Sequence, residues 1–166
     1  KNTDSMMFAK YQYVLNSYVD ADGNVLDTDN SDAEKFDMTS LLRRTDEFDE
    51  EWSVYGVETD SAYVKLKDMD SLKDNEVYIS DSFADKYSIK PGDTIKLDAQ
   101  YEKKTYKFKV KGTYDKSQSI AVFMPIEHFA DTFDFADGRF SGFLSDSKIK
   151  DIDESNIATA ITIRDI

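Results

Sequence analysis

The sequence predicts an α+β domain, a mixed and mainly antiparallel sheet with two or three short helices set between its strands. Three observations lead there. Runs rich in Val, Ile, Tyr and Phe, alternating at period two, recur along the chain about eight or nine times. Around Phe83 and Phe129 the apolar residues instead fall at three- and four-residue spacing, as on one face of a helix. The run "SIAVFMP" (119–125) is almost wholly apolar, as in a strand covered on both faces.

In order, "YQYVLNSYV" (11–19) is a long first strand, and "DADGNVLDTDNSD" (20–32) is a polar loop. "AEKF" (33–36) reads as a turn of helix, "MTSLLRR" (38–44) as a strand and "TDEFDEE" (45–51) as an acidic connector. "WSVYGVE" (52–58) follows as a strand, with Trp52, Val54 and Gly56 on one face and Ser53, Tyr55 and Val57 on the other. Residues 59–75 are irregular and lead into strand "EVYIS" (76–80). Ser80 is placed to cap the next helix, Asp81 suits its dipole, and Phe83 and Tyr87 share a face at i and i+4. "KPGD" (90–93) fits a type II turn, in which Pro91 fixes one φ and Gly92 supplies the positive one. "TIKLDA" and "TYKFKVKG" form a hairpin with Ile95, Leu97, Ala99, Tyr106, Phe108 and Val110 inward and one wet face. After the apolar strand, Pro125 opens a helix carrying Ile126, Phe129, Ala130 and Phe133; "RFSGFLSD" and "NIATAITIRDI" are the last strands.

Residues 1–166 are enough for one domain, or for two small subdomains sharing a core. With 40% hydrophobic residues the interior is well supplied, and a net charge of −13 argues against nucleic acid and anionic membrane surfaces. The absence of cysteine removes disulfides, thiolate catalysis and Cys-ligated zinc, without fixing a compartment. The longest apolar run, "IAVFMPI", is far short of the roughly 18 residues of a membrane span. The chain starts at Lys1 with no initiator Met or signal peptide and reads as a piece of a larger protein.

Chemistry-bearing patterns are sparse. The one histidine, His128, reads as a surface residue on the side of its helix away from Phe129 and Phe133. No GxSxG, HExxH or Gly-rich phosphate loop occurs, so no catalytic, cofactor-binding or metal residue is assigned. Asp20, Asp22, Asn24 and Asp27 echo the start of a calcium loop, but Gly23 stands fourth and Ser31 twelfth, where an EF-hand needs glycine sixth and Glu twelfth. Lys103, Lys104, Lys107, Lys109 and Lys111 could meet an anionic partner, yet they also suit the wet face or edge of a sheet. Tyr11, Tyr13, Tyr18, Trp52 and Tyr55 could stack on sugars or peptides, although aromatics at strand period more often pack a core.

The series "FADKY", "IKPGDTIKL", "YKFKVKG" and "FMP", in that order, resembles the extracytoplasmic domains of ABC transporter permeases of the FtsX/MacB-like superfamily. The opening "YQYVLNSYV", "AEKF" and "VYGVE" look like the Gram-positive large permeases, and "ITIRDI" like the stretch that returns the chain to the membrane. The match spans most of 8–166 and is densest in 76–126; the acidic loop at 20–32 departs from it. The resemblance implies a MacB-like periplasmic core set between two transmembrane helices, on the outer side of the cell membrane. It also implies a separate cytoplasmic ABC ATPase subunit that hydrolyses the ATP, no enzyme activity and no cofactor here, and mechanotransmission to an exported substrate or an extracytoplasmic protein or peptide partner. A second reading stays open: a secreted or surface-anchored module that binds glycan, peptide or calcium, motivated by the acidic loop and the aromatics.

Overall fold

The computed structural model describes residues 7–115 and 120–162. The domain is α+β, with nine strands in one mixed sheet and two α-helices. The strands are β1 (Tyr11–Leu15), β2 (Glu34–Arg44), β3 (Asp49–Val57), β4 (Glu76–Ser80), β5 (Thr94–Asp98), β6 (Thr105–Tyr114), β7 (Ala121–Pro125), β8 (Gly142–Ser145) and β9 (Ile157–Thr162); the helices are α1 (Asp81–Tyr87) and α2 (Ile126–Phe133).

Strand order is β3-β7-β4-β6-β5-β2-β8-β1-β9, and β3 also pairs with β2. That extra pairing closes six strands into a barrel, β2-β3-β7-β4-β6-β5, sealed between β5 and β2 by one bridge, Leu42 to Asp98. Arg44 reinforces the seal, reaching Asp98 through Nε at 3.0 Å and Asp49 through Nη1 at 2.8 Å. These exposed pairs stabilise little, but they hold the β2–β3 and β5–β6 tips together. The barrel interior is filled by Trp52, Val54, Val77, Ile79, Leu97, Phe108, Val122 and Met124. Because β4 and β7 run antiparallel and each leads straight into a helix, α1 and α2 plug opposite ends, contributing Phe83 and Phe129 to that interior.

β2 outlasts the barrel. Its first residues, Glu34–Phe36, pair with β8, which pairs with β1, which pairs with β9. Tyr13, Leu15, Phe140, Phe143, Ile149 and Ile152 form the core of this four-stranded sheet. A third apolar layer lies on the outer face of β3, β7 and β4, where Tyr55, Phe123 and Tyr78 are covered by Phe36, Leu144 and the segment carrying Val64, Met69 and Leu72.

Several sequence expectations change here. "AEKF" is not helical: Glu34–Phe36 belong to β2, because pairing with β8 buries Phe36. The acidic connector shortens to a turn, since Asp49, Glu50 and Glu51 pair with Arg44, Arg43 and Leu42. The first strand stops at Leu15, and the predicted final strand is seen as Ile157–Thr162; the last four residues of "ITIRDI" lie outside the described residues. Ser80 occupies the N-cap position of α1 but makes no capping bond; its Oγ accepts the buried Ala121 N–H at 3.1 Å and ties β4 to β7. The "KPGD" turn is as expected, with Gly92 at φ +97° and Asp93 N–H donating to Lys90 O at 3.0 Å. In β6 the inward set shifts face: Val77 pairs with Val110 but Tyr78 pairs with Gly112, so Lys111 is an extra bulged residue. Before it Phe108 and Val110 face the barrel interior; after it Tyr114 faces the outer apolar layer.

Candidate functional site

The feature that most constrains function is the pairing of the two end strands. β1 and β9 are antiparallel, with Tyr11 opposite Thr162, Gln12 opposite Ile161 and Tyr13 opposite Ala160. The chain therefore enters and leaves the described structure side by side at one edge of the sheet. Behind β1, Tyr13 Oη accepts the Ile149 N–H at 3.0 Å, and Asn16 Nδ2 donates to Ser155 O at 2.9 Å. Gly142 of β8 lies so close to β1 that an added Cβ would stand 1.8 Å from Tyr13 O.

From this pair, connection to the barrel runs through β8 and β2. Asp37, where β2 passes from one sheet to the other, is 1% exposed. Its Oδ1 accepts from Ser141 Oγ at 2.6 Å and Met38 N at 2.9 Å, and Oδ2 lies 3.3 Å from Arg139 Nη1. Burial raises its carboxyl above the ordinary value, outweighing Ser141, Arg139 and the Met38 N–H, which act the other way. Arg139 also stacks on Phe135 at 3.7 Å. At the α1 end, Glu50 is the hub: it accepts from Trp52 Nε1 at 2.6 Å, from Lys86 Nζ at 2.8 Å and from Tyr87 Oη. Burial works to raise the Glu50 carboxyl, but those donors and the Lys86 charge together hold it below its ordinary value. Both carboxylates are bound up in tying elements together.

The residues singled out in the sequence are dispersed. His128 is partly exposed: its side chain is 19% exposed, and Nε2 sits 3.6 Å from Oδ1 of the exposed Asp74, in the loop before β4. In the acidic loop, Asp20 Oδ1 accepts the N–H groups of Asp22 and Asn24, each at 2.9 Å, and Gly23 takes φ +85°. That is a tight polar turn, and among the described residues no group of three or more His, Asp or Glu is arranged to hold a metal. Trp52, Tyr55 and Tyr13 are buried in the core, and Tyr11 and Tyr18 are partly buried against the end-strand core. Lys107, Lys109 and Lys111 are exposed on β6, an interior strand between β4 and β5, so they wet a face and guard no edge. The Glu50 hub and the Asp37–Arg139 pair were not singled out, because their partners are distant in sequence and each residue alone is an ordinary acid.

No family model matches the chain, and no curated protein matches it. Among solved structures it is similar to the extracellular domain of the noncanonic ABC-type transporter YknZ from Gram-positive bacteria, at 17% identity and a TM-score of 0.48 over 71% of this chain. The chain spans 66% of that domain's length, a little under two thirds. No helix among the described residues is long and apolar enough to cross a membrane.

Proposed function

We propose that this chain is one extracytoplasmic domain, inserted between two transmembrane helices of an ABC transporter permease of the FtsX/MacB-like kind. In this reading it converts ATP-driven motion of those helices into movement outside the membrane. The observation that carries it is the pairing of β1 with β9, which puts the incoming and outgoing chain at adjacent positions of one sheet edge. Two neighbouring helices could grip such an edge together. The sequence series that resembles the family supports the same reading, because "FADKY", "IKPGDTIKL", "YKFKVKG" and "FMP" are consecutive parts of the barrel.

Under this proposal, displacement of the end strands passes through β8 into β2, and β2 carries it into the barrel without a linker. ATP hydrolysis belongs to a separate cytoplasmic ATPase, and the moving surface acts on an exported substrate or on an extracytoplasmic protein or peptide. Tyr101, 95% exposed at the β5–β6 tip, provides the test, because this chain has no cysteine of its own. In whole cells expressing the parent protein with Tyr101→Cys, a membrane-impermeant maleimide should label this site. The parent should also carry apolar segments of about 20 residues on both sides of the domain. A site labelled only after lysis, or a parent without such segments, refutes the proposal.

A further inference from the structure

A cleft of about 530 Å³ lies between β9 and the segment that crosses the sheet after β8. One wall is apolar, made by Ile149 and Ile152, and the Tyr13 Oη bond to the Ile149 N–H holds it in place. The other side is β9 itself, whose Ala158 and Ala160 line the cleft and are exposed. Larger side chains at those two positions would narrow the space, so alanine there keeps the cleft wide. At the rim stand Lys148 and Lys150, with Glu154 also lining the space. Among the described residues neither lysine has a carboxylate ion-pair partner, so two exposed ammonium groups stand free at the cleft, while the nearby Asp151 and Asp153 are held by Thr28, Asp29 and Ser155.

β9 is also an end of the strand order, with β1 as its one strand neighbour among the described residues. About half of its backbone N–H and C=O groups therefore point away from the sheet, with no strand among the described residues to receive them. An open edge, small apolar side chains beside it and two lysines at the rim together specify an occupant: an extended backbone, apolar side chains at alternate positions, and a carboxylate.

We propose that this cleft binds an extended acidic segment of a partner protein, which adds as a strand to β9, sets apolar side chains against Ala158 and Ala160, and places a carboxylate between Lys148 and Lys150. A second copy of this chain fits less well, because its own edge strand, Ile157–Thr162, offers no acidic residue to the lysines. The inference stands on the cleft alone and holds whether or not the domain belongs to a transporter.

The test uses the whole 166-residue chain and fluorescein-labelled, end-blocked peptides of about seven residues in which alternate positions carry Val, Leu or Phe and one Glu, all on one face, with Thr between them, alongside versions with Lys in place of the Glu. At least one acidic peptide should bind about tenfold or more tightly than its lysine counterpart by fluorescence anisotropy. Amide shifts on binding should fall in residues 148–162. Methylating the peptide nitrogens at alternate positions should abolish binding in one phase and spare it in the other. Ala160→Leu should weaken binding about tenfold by crowding the side of the cleft along β9, and a Lys148→Glu, Lys150→Glu double variant should reverse the charge preference. Both variants change exposed positions, and melting as the parent does confirms that they fold. Absence of saturable binding by every acidic peptide, equal binding of acidic and basic versions, or shifts centred elsewhere overturns the proposal. Concentration-dependent shifts in β9 without peptide overturn it in favour of pairing between copies.

Discussion

Gly142→Ala tests whether the end-strand sheet is built as described. The new Cβ would sit 1.8 Å from the Tyr13 carbonyl oxygen and 3.0 Å from Phe36 Cε1. An ordinary C···O approach is about 3.3 Å or more, so β1 and β8 must separate by roughly 1.5 Å. Ladder hydrogen bonds do not survive such a shift between strands spaced about 4.8 Å apart. Losing two or three of them, at about 1 kcal/mol each, adds to an overpacking cost of about 1–3 kcal/mol, for a total near 3–6 kcal/mol. For a domain of this size that lowers Tm by on the order of 10–15 °C. Far-UV circular dichroism gives the melt, and hydrogen exchange read by mass spectrometry locates the damage. Exchange should accelerate in β1, β8 and β9 first, while Trp52, inside the barrel, keeps its native emission until the main transition. Gly138→Ala is the control, since its Cβ meets nothing within 4 Å and only its φ of +81° resists, at about 1–2 kcal/mol. A Gly142→Ala protein that melts within about 2 °C of the parent, with β1 exchange unchanged, refutes the close β1–β8 packing.

Two further outcomes are expected. Glu50 has a folded carboxyl value below its unfolded 4.5, so the stability it contributes is present above that value and is lost as pH falls through the folded one. Glu50→Gln should therefore cost about 2 kcal/mol in urea titrations at neutral pH, and the difference should shrink as the pH falls below 4.5; a cost independent of pH contradicts the charged hub. Gly92→Val meets no steric obstacle but must hold φ +97°, so Tm should fall by several degrees, about 1–2 kcal/mol; an unchanged Tm means the turn does not need a left-handed residue.

The stretch from β4 to α2 was legible almost to the residue because its signals are local: alternation in "EVYIS", Pro91-Gly92, and Phe83 four residues before Tyr87. The start of β2 was not, because Phe36 is an isolated apolar residue in "AEKFD" and its strand state is imposed by β8, more than a hundred residues later. Ring closure was equally hidden, since it depends on β2 pairing with β3 on one side and touching β5 at a single bridge on the other. Ser80 shows how a correct local signal can mislead: the residue stands where a cap belongs, but a buried N–H on β7 claims its hydroxyl. The cleft left no sequence signal, because Ala158 and Ala160 matter through what they leave empty.

The pairing of β1 with β8 and β9 also bears on how the molecule is made. β1, synthesised before the other strands described, pairs with β8 and β9, synthesised after them, so β1 must wait for most of this domain before it can pair. The barrel has the same character, with Ser53 of β3 waiting for Ala121 of β7. Long-range pairings of this kind place folding on the millisecond-to-second scale or slower, and "YQYVL" remains an unpaired strand until β8 and β9 arrive. The nascent chain thus has a long interval in which it is vulnerable to aggregation, and deleting β9 would leave β1 with an open edge for good.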